Sequence, residues 1–240
     1  MSISKITQKE QVIEVMRKNG GYATFELLNR MVDFSTWKTK TPQASVRGIV
    51  QVYNEFFRIQ PGLWALEESK KDVLEKFNIG EDDKNKQEKF THTYYQGLLV
   101  ETGNILDYCT YIPNQDKNRL FLEKPLGEIS TIKNIYEFSY PEIVNRAKTI
   151  DTIWFNERKL PSSFFEVEHS TDIKNSLIKY YELQDFSAKF YIVAPKHRKR
   201  QFDDVINRSI FKDIRHRIGF LAYEDVATKY EKESLRGMFK

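Results

Sequence analysis

The stretch from Thr149 to Thr171, T-I-D-T-I-W-F-N-E-R-K-L-P-S-S-F-F-E-V-E-H-S-T, constrains the fold of this chain more than any other. Two apolar runs, 150–155 and 163–167, flank the polar turn N-E-R-K-L-P. They are rich in Ile, Val, Phe and Trp and predict two adjacent strands of a hairpin. Strand side chains alternate between faces, so Asp151 shares a face with Ile153 and Phe155, and Glu166 and Glu168 share one with Phe164. Three carboxylates on otherwise hydrophobic strands need partners, because a buried charge is costly unless paired or bound to a metal. They could pair with Lys or Arg in the core, lie on a solvated sheet edge, or hold a divalent cation.

Downstream, residues 172–186 carry a helical pattern with Ile173, Leu177, Tyr180 and Gln184 along one face. A third apolar run, K-F-Y-I-V-A-P, follows, and then a helical segment from Lys196. The order strand, acid-bearing strand, helix, strand, helix resembles the core of the PD-(D/E)XK nuclease superfamily, to which many restriction endonucleases belong. Asp151 matches the family's first Asp, and Glu166-Val167-Glu168 matches its D/E-x-K motif, with fourteen residues between Asp151 and Glu166. No Pro precedes Asp151, and Glu168 occupies the family's Lys position, as it does in a minority of restriction enzymes. The longer string F-F-E-V-E-H-S-T, with I-D-T-I-W before it and F-Y-I-V-A-P after it, is similar to one bacterial branch composed mainly of restriction-endonuclease-like proteins. The resemblance spans residues 92–226.

The resemblance implies a mixed α/β nuclease fold, a restriction-endonuclease-like sheet flanked by helices. It also implies that Asp151 and Glu166 hold Mg²⁺ and that water is activated for phosphodiester hydrolysis. Glu168 would then orient or deprotonate that water or ligate a second metal. A cation would come from Lys179 or Lys174 on the following helix, while alternation turns His169 away from the acids. Many members add a Glu on a helix before the first Asp. Glu101, in the helical stretch Y-Y-Q-G-L-L-V-E-T-G-N-I-L, is the candidate, with Gln96 near it; a surface Glu on an amphipathic helix reads equally well.

Residues 5–68 predict a small winged helix by their own pattern. Thr7-x-x-Glu10 is a capping box ahead of Val12, Ile13 and Met16, and Gly20-Gly21 stops that helix. A second helix from Thr24 uses Leu27, Leu28, Met31 and Val32. Thr41-Pro42 starts a third, burying Val46, Ile49, Val50 and Tyr53. F-F-R-I and L-W-A-L, joined by Gln60-Pro61-Gly62, form the wing. The outer stripe of the third helix carries Gln43, Arg47, Gln51 and Asn54. Arg and Gln can bond guanine and adenine edges in two places each, and Lys38 and Lys40 just ahead suit phosphate contacts. A winged helix can also serve protein contacts alone. K-K-D-V-L-E-K-F-N-I reads as a short helix and E-D-D-K-N-K-Q-E-K as a charged linker. This divides the chain into a DNA-binding domain, residues 1–80, and a nuclease domain, residues 81–240. Residues 113–148 look like an insertion.

Positive charge concentrates late. Residues 189–217 hold nine Lys or Arg against three Asp, and Lys196, Arg198, Lys199 and Arg200 cluster at a helix start. Such a cluster can neutralise phosphates, although charge runs are usually solvated faces. The net charge of +4 permits nucleic-acid binding without requiring it. A single cysteine, Cys109, excludes an internal disulfide and a cysteine zinc cluster. No apolar run reaches spanning length and the N-terminus has no signal-peptide core, which predicts a cytoplasmic protein with no membrane partner. The function these features predict is a sequence-specific, Mg²⁺-dependent cleavage of double-stranded DNA, as in the type II enzymes of restriction-modification. A non-catalytic DNA-binding regulator is the alternative. Two-fold symmetry of a palindromic site would call for a homodimer.

Overall fold

The structure, a computed structural model, describes residues 6–80 and 83–237. The described residues form two compact units, one running from residue 6 to 87 and the other from 88 to 237.

In the first unit, α1 (Gln8–Lys18) opens on the capping box. Thr7 Oγ1 accepts from the Glu10 amide at 3.2 Å, and the Thr7 amide donates to Glu10 Oε2 at 2.7 Å. β1 (Tyr22–Thr24), α2 (Phe25–Met31), α3 (Pro42–Val52), β2 (Phe56–Gln60) and β3 (Leu63–Leu66) follow. Thr24 caps α2 through the Leu27 amide. β1 has no counterpart in the sequence reading. It is three residues long and pairs antiparallel with β3, giving the sheet order β1-β3-β2. Gly62, at φ +83°, turns the chain between β2 and β3. Val12, Met16, Leu28, Val46, Ile49, Val50 and Trp64 close the core. Met31 and Tyr53, expected inside, are 58% and 45% exposed, because α2 and α3 end at these residues and carry them past the core. α4 (Lys70–Lys76) completes the unit.

α5 (Lys84–Ile105) starts ten residues before Tyr94, the first residue of the expected helical stretch, so the charged stretch expected as a linker is helical from Lys84 onward. Its Lys, Gln and Glu are good helix formers with no breaker among them. Glu81 and Asp82 lie outside the described residues.

The second unit is mixed α/β. After α5 come β4 (Cys109–Tyr111), the small hairpin β5 (Leu120–Phe121) and β6 (Lys124–Pro125), α6 (Leu126–Ile129) and α7 (Pro141–Ala147). Then follow β7 (Thr152–Phe155), β8 (Pro161–Val167), α8 (Ile173–Glu182), β9 (Lys189–Ala194), α9 (Lys199–Ile206), β10 (Ile218–Ala222) and α10 (Tyr223–Gly237). Five strands form one sheet in the order β10-β9-β8-β7-β4. β8, β9 and β10 run parallel, and β7 and β4 are antiparallel to their neighbours. Helix α8 is the crossover that two parallel neighbours require.

Alternation on β8 sends Phe164 into a core with Phe190, Leu177 and Tyr180. The opposite face presents Phe165, which stacks on Tyr191 at 5.1 Å, and Trp154. Helix α5 lies close over that face. A Cβ at Gly103 would come within 2.6 Å of Thr110 and Trp154, so only glycine permits the approach. Among the described residues no helix is long and apolar enough to cross a membrane.

Candidate active site

The pairing of β7 with β8 sets Thr152 opposite Phe165 and Ile153 opposite Phe164. Asp151, one residue before β7, is thereby level with Glu166. Glu168 follows β8 and is held by its amide to Val193 O at 2.8 Å. Glu166 and Glu168 are 3% and 5% exposed. Glu166 and Glu168 thus sit at one end of the sheet with almost no water to solvate them, beside the partly exposed Asp151.

Helix α8 answers two of them. Asp172 caps it, accepting from the Lys174 amide at 3.0 Å, and Ile173, Leu177 and Tyr180 anchor it in the core. This turns Ser176 and Lys179, three residues apart and so on one face, toward the acids. Lys179 Nζ donates to both oxygens of Glu166 at 2.9 Å and to Thr149 O at 3.1 Å. Ser176 Oγ lies 3.1 Å from Glu166 Oε2 and also contacts Glu168 Oε1. Thr171 Oγ1 donates to Glu168 Oε2. Lys174, the other cation considered, is exposed.

Asp151 is held from the other side. Its Oδ2 accepts from the Val167 amide at 2.8 Å and from His92 Nε2 at 3.1 Å. Its backbone oxygen accepts from Gln96 Nε2 at 2.6 Å. Gln96 also donates to Asp116 Oδ2 at 3.2 Å. Asp116 Oδ1 pairs with Arg119 Nη1 at 3.1 Å, and that nitrogen lies 3.5 Å from His92 Nδ1.

Burial drives Glu166 well above the ordinary carboxylate range, helped by the charge of Asp151 and opposed by Lys179. Burial also raises Glu168, against the hydrogen bond from Ser176. For Asp151 burial pushes upward, but the charge and hydrogen bond of His92, the Val167 amide and Lys179 outweigh it and hold the carboxyl low. Burial pulls His92 down, and Asp151 more than restores it, leaving it raised.

The other expected site residues fall into place as follows. Glu101 lies on α5 five residues past Gln96, about 140° round the helix at 3.6 residues per turn. The face of α5 that meets Asp151 carries His92 and Gln96. Arg198, expected at a phosphate, is 7% exposed. Its guanidinium donates to Glu168 O at 2.9 Å, Thr171 O at 2.5 Å and Gln201 Oε1, so it straps the loop that carries Glu168. Lys196, Lys199 and Arg200 are exposed, with Lys199 paired to Asp203 at 2.5 Å. In the first unit Lys38, Lys40, Arg47 and Gln51 are exposed and Gln43 is half-buried. Arg47 lies 5.3 Å over the Phe25 ring. His169 faces Tyr223, whose hydroxyl is 3.4 Å from its Nδ1.

His92, Asp116, Arg119 and Ser176 were missed by the sequence reading. None lies in a motif, and His92 is 59 residues from Asp151. The i, i+4 spacing of His92 and Gln96 was the one signal available.

Among the described residues no three His, Cys, Asp or Glu side chains are gathered so as to hold a metal ion. Mg²⁺ does not need such a cage, since it keeps several waters and takes one or two carboxylates plus substrate phosphate. Asp151 and Glu166 are hard oxygen donors of that kind. Burial and the charge of Asp151 raise the proton affinity of Glu166 against Lys179, and a bound cation would add to the positive charge that offsets them. Gln96 Oε1, on the side chain bonded to the Asp151 carbonyl, is buried without a hydrogen-bond partner and could accept from a bound water. The residues fit Mg²⁺.

Residues 73–240 match the family model described as the type II restriction enzyme NmeDI C-terminal domain, and the chain belongs to that family. A similar protein is the type II restriction enzyme NmeDI of Neisseria meningitidis serogroup C. It is 28% identical over 136 residues, which cover 52% of this chain and 39% of that enzyme. The chain therefore matches well under half the length of this curated relative. No solved structure matches.

Proposed function

We propose that this chain is a Mg²⁺-dependent endonuclease that cuts double-stranded DNA at specific sequences, in the manner of type II restriction enzymes. The observation that carries the reading is the pairing of Asp151 with Glu166 across β7 and β8, with Lys179 clamped to Glu166 from α8. Membership in a family named for a type II restriction enzyme supports it. The second unit reads as a PD-(D/E)XK nuclease in which the cation comes from a helix while Glu168 occupies the strand position. Helices α1, α2 and α3 and the antiparallel sheet of the first unit support its reading as a winged helix, with Lys38, Lys40, Gln43, Arg47 and Gln51 toward DNA.

In this reading Asp151 and Glu166 hold Mg²⁺, which when bound supplies Lewis acidity toward a phosphoryl oxygen and acidifies a water. Glu168 takes a proton from the attacking water. Its raised proton affinity suits a base working nearer neutral pH. Lys179 Nζ offsets negative charge at Glu166 and at the phosphoryl oxygens. Lys196, Lys199 and Arg200 receive backbone phosphates, which carry affinity rather than specificity. A palindromic target would be met by a homodimer in the cytoplasm.

Incubating plasmid DNA with the protein and Mg²⁺ tests the reading. Discrete fragments that vanish with EDTA are expected. An intact plasmid at every Mg²⁺ concentration, with the protein still bound to DNA, would favour the non-catalytic regulator.

A further inference from the structure

The contacts around Asp151 close on themselves. Asp151 Oδ2 meets His92 Nε2, His92 Nδ1 meets Arg119, Arg119 meets Asp116, Asp116 meets Gln96, and Gln96 returns to the Asp151 carbonyl. Three segments distant in sequence supply the members: α5, the 3₁₀ turn after β4 and the residues following it, and the residue just before β7. Both hydrogens of the Gln96 amide are used, one on Asp116 and one on Asp151.

Stability alone does not ask for such a ring. Buried ionic groups are often matched or bettered by apolar residues of similar volume. Here the polar groups converge on one carboxylate, and they converge on one of its two oxygens. Both side-chain hydrogen bonds to Asp151 fall on Oδ2; Oδ1 takes none among the described residues. One oxygen is fixed and the other is left with its lone pairs. A carboxylate accepts only, so His92 Nε2 must carry a proton toward Asp151.

We infer that His92 is a positioning residue for Asp151, acting through a ring completed by Gln96, Asp116 and Arg119. The ring orients Oδ1 toward the cation and phosphate. This rests on the nuclease reading above. Partners of a metal ligand that orient it are worth about 10–100-fold in metal affinity.

The test compares His92→Leu, His92→Gln and Arg119→Met with the wild-type chain, by the Mg²⁺ concentration giving half the maximal rise in unfolding temperature and by the concentration giving half-maximal cleavage. His92→Leu should raise both concentrations about 10–100-fold, with metal-free duplex affinity unchanged. His92→Gln keeps an amide donor and should fall between. Arg119→Met should shift both in the same direction by less. A folded His92→Leu with wild-type Mg²⁺ dependence overturns the inference. If His92→Leu fails to fold, Arg119→Met decides, and a wild-type Mg²⁺ response there overturns it. A wild-type chain that shows neither response to Mg²⁺ removes the nuclease reading and this inference with it, whereas normal wild-type responses and unaltered variants remove the ring's role alone.

Discussion

Lys179 Nζ lies 2.9 Å from both carboxylate oxygens of Glu166. This ammonium reaches the acid from α8, thirteen residues along the chain from Glu166. Lys179→Met should leave Glu166 buried with only Ser176 as donor. Thermal unfolding should show a loss of about 1–3 kcal/mol, the usual penalty for a buried polar group deprived of its partner. Cleavage should fall at least as far as Glu166→Gln makes it fall. An unchanged unfolding temperature would mean that Lys179 adds nothing to the site.

Glu166 has a pH signature. Its proton affinity in the fold is raised above its unfolded value, so the folded state binds more protons in that window. Stability in metal-free buffer then declines as pH rises from the ordinary carboxylate pKa through the raised value. Glu166→Gln cannot lose a proton. Its unfolding temperature should exceed that of the wild type at pH 8 in EDTA, with the gap narrowing as pH falls toward 5. Added Mg²⁺ should raise the wild type and leave the variant nearly unmoved. A constant gap across pH would remove the titration of Glu166 from the account.

Glu168 separates a base from a filler. Its oxygens accept from Ser176 and Thr171, and Gln can keep one acceptor while losing the charge. If Glu168 takes the proton of the attacking water, Glu168→Gln should lower the cleavage rate on the order of 10²-fold. Glu168→Lys should fail as well, because an ammonium there offers no acceptor and repels both Lys179 and the cation. Full activity in Glu168→Lys would withdraw the role.

In the first unit, Gly48 sits on α3, where an added Cβ would meet no atom within 4 Å. Alanine there should stabilise the helix by about 0.5–1 kcal/mol. If α3 docks closely in a DNA groove, Gly48→Ala should raise the unfolding temperature and weaken duplex binding together. Arg47→Ala should relax discrimination at one base position by about 1–3 kcal/mol, whereas Lys38→Ala should weaken all sequences alike. Higher stability with unchanged affinity would place α3 away from the bases.

How much of this was legible in the sequence varied with the kind of contact. The β7–β8 hairpin and its acids stand out because carboxylates on otherwise apolar strands demand partners. Helical periodicity offered Lys174 and Lys179 on the next element, and the fold brings Lys179 to Glu166 while Lys174 is exposed. His92, Asp116 and Arg119 were hidden because each resembles a solvated residue on its own segment, and only the packing of α5 and the segment after β4 against β7 gathers them. Arg198 misled for the opposite reason: a run of four basic residues in five looks like a surface, yet the strap on Glu168 O and Thr171 O needs a buried guanidinium. The start of α5 was misread because charge without apolar residues resembles a linker, while Lys, Gln and Glu also favour a helix.

The most direct measurement is a parallel digest of one plasmid by the wild type, Asp151→Asn and Glu166→Gln in Mg²⁺, with duplex binding recorded for each. The account predicts discrete fragments from the wild type and none from either variant, all three binding DNA with comparable affinity. Fragments of the same size and rate from either variant would contradict it, because the pair level across β7 and β8 would then not be the site that cuts.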